Sequence, residues 1–593
     1  MTSESRAATA TSAGPETPTR SSEGPAPTAS APRSHVGLTV IAQDPTVRDA
    51  AGRIVTAVAP VPWARLEAGP RSARFHVVDY DASAGILYPA AQLPADQDGF
   101  ADADATTLLT DFAFHAQQVY AIAARTLATF EFALGRRVAW GFPGHHLHLV
   151  PHAFSEANAY YSGEDRALLF GYVPGGDGPP VYTCLSHDVV AHETAHAVLD
   201  GLRHRFLEPG LPDQAAFHEG FADVVALLSV FSLRAVVEVC LGPEDGEGRI
   251  SRDAVTAQRL RESVLTGVAE QLGDVLTQGR GALRQSALTP PPPGWDQDPA
   301  YAEPHARGQV LVAVVLDVLI DIWIQRMEPL LAPDSGRSPR SIDRARAAEE
   351  GAKAAGHLLT MLIRGLDYLP PVEFEFGDFV AAVTLADKEV VSDDDLGYRD
   401  KLVYRFARSG VLADPGASHD LLRGDIRPSY DGMNFSAMRT DADEVFRFVW
   451  QNAPQLEIDT DYYTHVESVR PSQRVGPDGL IVAESVADYV QMLEMTAGEL
   501  QQLLPAGLPE GMDPGTPVQL LGGGTLVFDQ FGRAKLHMRK RLADWDRQQR
   551  RLAYLHGRGY YDRRGGLGFA NPVPRGQAFA ELHNSDAGSG EVW

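Results

Sequence analysis

The stretch Asp188-Val189-Val190-Ala191-His192-Glu193-Thr194-Ala195-His196 decides how this chain is read. Two histidines four positions apart on a helix share a face, roughly 6 Å apart along the axis, so both imidazoles can reach one metal ion. Apolar positions recur with helical period through Ala195, Val198 and Leu199, and Ser186 stands where an N-cap belongs. A helix is predicted, and with it half of a zinc site. In His/His/Glu catalytic sites the remaining protein ligand comes from another helix and the fourth position is kept for water. Glu219 is placed to supply that ligand. It opens a second periodic segment, Phe221-Ala222-Asp223-Val224-Val225-Ala226-Leu227-Leu228, in which Glu219 and Asp223 share a face. Zinc-bound histidines donate their other ring N–H to a carboxylate, and Asp223 is the partner expected for His192. A bare HExxH also arises by chance as a polar helix face; the added Glu219 and Asp223 argue against that reading. The extended pattern with Gly and a third His requires them at 199 and 202, where this chain has Leu199 and Leu202.

With these residues the chain resembles the gluzincin metallopeptidases, most closely the thermolysin-like branch. Asp188 to His196 reads like that family's active-site helix, and Glu219-Gly220-Phe221-Ala222-Asp223 like its glutamate-bearing helix. Upstream, Asn158-Ala159-Tyr160-Tyr161-Ser162 is similar to the segment that binds an extended substrate at a sheet edge. Downstream, Pro304-His305-Ala306-Arg307-Gly308 begins a long apolar helical run, as the family's second catalytic histidine does. The resemblance covers about residues 105 to 410. It implies an α+β fold, a two-lobed gluzincin catalytic unit with a mixed β-sheet/helix lobe, a helical lobe and zinc in the cleft between them. The chain departs from the family in four places. Phe206 is the nearest aromatic to the position of the family's oxyanion tyrosine. Val230 stands where a partner carboxylate for a calcium ion would be, so Asp188 is read as a first-turn helix residue. The stretch from Ala197 to Phe217 differs in sequence, and the family's signal and pro-segment have no counterpart here.

Composition fits a multi-module cytoplasmic enzyme. The 593 residues, 44% hydrophobic and 22% charged, provide for large cores. A net charge of -26 argues against a general nucleic-acid binder. No apolar run is long enough to span a bilayer, and the N-terminus lacks the apolar core of a signal peptide. With Cys184 and Cys240 alone there is no disulfide framework. At Cys184 a buried inert thiol is favoured over a thiolate that caps the zinc.

The modules read as a disordered Ser/Thr/Ala/Pro-rich tail (1–34), a β-rich N-terminal segment (35–95) and a mixed α/β catalytic lobe (96–250). A helical lobe (251–412), a region of unassigned role (413–515) and a β-hairpin with a basic helix and flexible tail (516–593) follow. Strand-like runs are Val36–Ile41, Arg53–Val58 and Arg74–Asp79; helices are expected over Thr106–Leu134, Ala254–Thr277, Val310–Arg326, Ile342–Leu366 and Asp378–Val390, with a break at Pro290–Pro293. His145, His146 and His148 read as a polar strand face in preference to a second metal site. The run Gly522–Gly532 before Ala534–Met538 reads as a hairpin and lacks the Gly-Lys-Ser/Thr of a phosphate loop. Arg539, Lys540, Arg541, Arg547, Arg550 and Arg551 read as a solvated face pairing with the protein's own acidic surface, in preference to a docking site.

The expected activity is that of a zinc-dependent endopeptidase acting on a peptide or protein substrate, with no nucleic acid and no membrane as partner. His192, His196 and Glu219 would hold Zn2+, and Glu193, on the metal face without being a ligand, would serve as general base. By the resemblance, His305 would stabilise the oxyanion, and Asn158, Ala159 and Tyr160 would hold the substrate as an added strand. An aminopeptidase is disfavoured because no Gly-x-Met-x-Asn segment is found. The alternative from another class is a catalytically silent zinc-containing scaffold on the same fold; retention of Glu193 speaks against it.

Overall fold

The structure is a computed structural model that describes residues 34–94, 97–173, 180–241, 244, 248–264, 290–331, 341–412, 421–423 and 427–561. The expected N-terminal and C-terminal tails, and the part of the Ala254–Thr277 helix beyond 264, lie outside these residues. The fold is mixed α+β. Among the described residues no single helix is long and apolar enough to cross a membrane.

The chain opens with an antiparallel pair, His35–Ile41 against Thr56–Pro62. The second strand sits later than the Arg53–Val58 expected, and it contains Pro60 and Pro62. Proline is tolerated because a two-stranded ribbon has open edges that need no N–H. This ribbon is anchored to the helix Phe112–Leu134 by Gln118, which accepts from Ile41 N at 2.9 Å and donates to the carbonyls of Ile41 and Leu185, each at 3.1 Å. Leu185 and Gln43 then lead into the helix His187–Leu202: His187 N donates to Gln43 O at 2.6 Å. The expected Thr106–Leu134 helix is in fact two, Ala105–Thr110 and Phe112–Leu134, because Asp111 leaves the helical region and caps the second one through Ala113 N.

A mixed sheet runs in the order Phe75–Val77, Leu147–Phe154, Ala167–Val173, Ala159–Ser162, with Val181–Tyr182 also paired to Ala167–Val173. The first three strands are parallel, and Ala159–Ser162 joins antiparallel at the edge. Phe75–Val77 thus belongs to the same sheet as Leu147–Phe154, across the boundary expected at 95. Leu147 and Leu149 are buried, as the alternating pattern predicted.

Downstream the helices Pro304–Met327, Arg344–Gly365 and Phe376–Val390 match the expected segments closely, and Tyr398–Arg408 is an addition that the sequence reading missed. The C-terminal strands form one antiparallel sheet ordered Leu421–Arg423, Ala534–Lys540, Pro517–Asp529, Ile481–Thr496, Tyr463–Val475. The hairpin expected around Gly532 is present. The boundary expected at 515/516 falls within this sheet, whose long strands were not read from a region without sequence resemblance.

This sheet is not an independent appendage. The largest hydrophobic cluster runs from Leu38 to Met538 and includes Val486, Val527 and Leu536 of this sheet, although the sheet also packs clusters of its own around Phe448 and Leu520. Buried ion pairs cross the same seam. Arg203, at the C-cap of the helix His187–Leu202, pairs with Asp488 and donates to the carbonyls of Leu366 and Asp367. Asp488 also meets Arg470 at 2.5 Å and accepts from Thr525 Oγ1 at 2.8 Å. Asp367 accepts from both Arg136 and Arg474 at 2.6 Å, and Arg474 reaches Glu484 at 2.6 Å.

The basic stretch is paired internally, but it is largely not solvated. Arg539, Lys540, Arg547 and Arg551 are buried; Arg539 meets Glu457 at 2.7 Å, Lys540 meets Asp378 at 2.7 Å and Arg551 meets Glu373 at 2.6 Å. Charge counting along the chain detected the run but had no means of showing that Glu373 and Asp378 lie beneath it.

Burial also sets an acid limit on stability. It pushes His187 and His537 down to about 3 from an ordinary 6.5. Between those values the unfolded chain binds protons that the folded chain refuses, so stability present above pH 6.5 is lost as pH falls towards 3. The urea midpoint of the chelator-treated chain is expected to drop from pH 7 to pH 4.5, with a shallower slope in His537→Gln.

Candidate metal centre

Two long helices and one sheet edge build the centre. The first helix, His187–Leu202, begins after Ser186, whose hydroxyl bonds Asp44 and not the helix's own N–H groups. Asp188 lies in its first turn, and its Oδ1 accepts from Val189 N at 2.9 Å. The second helix is Pro212–Phe231. Glu219 therefore lies mid-helix and does not open the segment, because Pro212 occupies the first turn, where its missing N–H costs nothing and its fixed φ suits a helix. His187 Nε2 ties the two helices through Ser229 Oγ at 3.0 Å.

His192, His196 and Glu219 converge. One donor atom from each lies within 4.8 Å of the others, and all three residues are buried. His192 Nε2 is 3.4 Å from Glu219 Oε2, and His196 Nε2 is 3.4 Å from Glu219 Oε1. The two imidazoles stand edge to face with centroids 4.4 Å apart. Ligands about 2.0–2.1 Å from a tetrahedral zinc are separated by roughly 3.3 Å, so the donor set fits such an ion.

The outer ring nitrogens are also held. His192 Nδ1 is 2.8 Å from Asp223 Oδ1, the pairing expected from the shared helix face. His196 Nδ1 is 2.8 Å from His218 Nδ1, with the rings stacked at 4.8 Å. His218 was missed. It directly precedes Glu219, and that adjacency to a ligand was the only available signal. Burial opposes a charge on His192, but Asp223 and Glu219 outweigh it and lift the ring to about 10. For His196 burial wins over Glu219 and the ring is pushed down.

No family model and no curated protein sequence matches this chain.

Glu193 is fully buried, and its Oε2 accepts from Tyr161 N, on the edge strand, at 3.0 Å. Tyr161 also donates its hydroxyl to Asp200 Oδ2 at 2.8 Å, so the strand is pinned to the metal helix at two points one helical stretch apart. Asn158, Ala159 and Tyr160, the residues expected to hold substrate, lie just before and at the start of the same edge strand. Ala159 N donates to Asn158 Oδ1 at 2.9 Å, the Asn158 carbonyl accepts from Gly171 N at 2.8 Å, and Tyr160 stacks on Phe154 at 5.6 Å.

His305 reaches the centre from the first turn of Pro304–Met327. Its Nε2 is 3.9 Å from Glu219 Oε2, and its Nδ1 is 2.8 Å from Glu303 Oε1. The approach depends on two glycines. A Cβ at Gly220 would sit 2.8 Å from Gly308 O, and one at Gly308 would sit 3.0 Å from Ala216 O. Backbone-to-backbone contact at this crossing is what sets His305 beside Glu219.

Phe206 is buried against Phe217 and Phe374, with centroids 5.6 and 4.5 Å away, and offers no hydroxyl. His145, His146 and His148 belong to no donor cluster among the described residues; His146 Nε2 is 2.9 Å from Ser72 O. Cys184 is buried away from His192 and lies instead within a second cluster with His115 and His152.

Proposed function

We propose that the chain is a zinc-dependent endopeptidase of the gluzincin kind, with a two-lobed arrangement around the centre. The observation that carries this reading is the position of Glu193. It is not one of the three converging donors, yet it is buried beside them and directed by a backbone N–H of a sheet edge. A purely structural zinc has no use for such a carboxylate.

His192, His196 and Glu219 would hold the ion. A zinc ion so bound supplies a Lewis acid and lowers the pKa of its water towards about 7. Glu193 takes the proton of the attacking water and delivers it to the leaving amine, and the Tyr161 N–H fixes the carboxylate that does so. The edge strand Ala159–Ser162 receives the substrate as an added strand, with Asn158, Ala159 and Tyr160 flanking the scissile bond. Because His305 gives Nδ1–H to Glu303, its Nε2 faces the centre and, when protonated, donates to developing negative charge. Asp223 and His218 hold the ligand rings in orientation.

A quenched-peptide assay before and after chelation, with zinc restored, tests the proposal; unchanged cleavage in chelator would sink it. Glu219→Ala is expected to abolish binding at this centre while leaving the fold intact, read as the loss of about one metal equivalent by elemental analysis. Phe206 favours the second reading, a zinc-containing scaffold without turnover, since it leaves the family's oxyanion tyrosine without a counterpart at that position. Metal retained with no cleavage of any peptide in a diverse library would select that reading.

A further inference from the structure

His115, His152 and Cys184 form a second cluster of donors, each fully or almost fully buried. They come from three elements: the helix Phe112–Leu134, the strand Leu147–Phe154 and the short turn Thr183–Leu185 that feeds the metal helix. Their hydrogen bonds create a conflict. His115 Nε2 is 3.2 Å from the carbonyl of Leu109, which can only accept, so that nitrogen carries a hydrogen. His152 Nδ1 is 2.9 Å from both oxygens of Asp79, so it too carries a hydrogen. In neutral rings the remaining nitrogens, His115 Nδ1 and His152 Nε2, are both lone pairs, and they face each other at 2.8 Å. Two lone pairs at that distance repel unless a cation lies between them.

We propose that this cluster is a second metal site, binding a thiophilic d10 ion such as Zn2+ through His115 Nδ1, His152 Nε2 and Cys184 Sγ. Two imidazoles with one thiolate suit zinc or copper(I) and exclude magnesium and calcium. The supporting contacts are those of a metal site: a carboxylate behind one histidine and a backbone carbonyl behind the other. Phe112 stacks on His152 at 4.0 Å, and Tyr182 stands 4.7 and 5.0 Å from the two rings, so aromatic walls keep water out. A tetrahedral zinc needs its ligands roughly 3.3 Å apart, so the two nitrogens would part by roughly 0.5 Å on loading. Binding releases the Cys184 S–H proton and any proton shared by the two rings. The site is structural. Its three donors are buried, and it ties the turn before His187 to the sheet and to the Phe112–Leu134 helix.

The test uses the full chain, stripped with chelator and reloaded with Co2+. Wild type is expected to take about two ions and to show a near-ultraviolet thiolate-to-cobalt charge-transfer band. Cys184→Ala should lose that band and one equivalent, Cys240→Ala should keep both, and His196→Ala should lose one equivalent while keeping the band. A wild-type chain that binds cobalt without the band overturns the proposal and assigns the space to a shared proton. So does a band that survives Cys184→Ala. The wild-type spectrum decides even if a variant fails to fold. Because only this site contains a thiol, its failure is separable from failure of the His192 centre.

Discussion

Glu193→Gln is expected to retain the metal at His192, His196 and Glu219 and to lose peptide cleavage by roughly 10²–10⁴-fold in kcat, the usual share of a positioned general base. The substitution keeps the shape of the side chain and leaves an oxygen to accept from Tyr161 N, so the 3.0 Å contact that orients it can persist. What it removes is the ability to take a proton. Steady-state kinetics with metal analysis on the same sample checks this: wild-type turnover with full metal would mean that another group accepts the proton. Glu219→Ala is expected to differ in kind, removing the ion along with the proposed activity. Together the two variants separate holding the ion from using it.

Asp488→Ala is expected to cost about 3–5 kcal/mol of stability, the range for stripping one partner from a buried ion pair. The carboxylate faces Arg203 and Arg470 and accepts from Thr525, and its removal leaves the Arg203 guanidinium, among the described residues, without a counter-charge in contact and held by the carbonyls of Leu366 and Asp367. Burial alone would raise the Asp488 carboxyl, but Arg203 and Arg470 hold it below the ordinary carboxylate range. Its stabilisation is therefore present above about pH 4 and is lost as pH falls through its depressed pKa. Urea unfolding of Asp488→Ala, Arg203→Ala and the double variant measures the effect. The double variant should cost less than the sum of the singles, because each removes the same contact; strict additivity would show that the pair is not coupled. Since Arg203 caps the metal helix, the same variant tests whether the C-terminal sheet steadies the centre: weakened metal affinity is expected alongside the lost stability.

Legibility in the sequence followed the range of the interaction. His192 and His196 share a face because a helix repeats every 3.6 residues, and Glu219 and Asp223 share one for the same reason. The apolar helices downstream and the hairpin at Gly532 were read from local periodicity and turn chemistry. The start of the Glu219 helix at Pro212 and the break at Asp111 were not, because a cap depends on one residue's backbone and is easily overridden by the apolar pattern around it. The basic stretch was noticed as a run of charge, yet its burial depends on Glu373, Asp378 and Glu457, which are distant in sequence.

By itself the sequence determined which side chains face together along each helix and strand, since that follows from the repeat of the backbone and the position of apolar residues. Only the tertiary structure decided what those faces meet. The crossing at Gly220 and Gly308 brings His305 to Glu219, the sheet edge brings Tyr161 N to Glu193, and three separate elements bring His115, His152 and Cys184 together. These contacts are selected by close packing between elements far apart in the chain, and no spacing along one element encodes a distance across two.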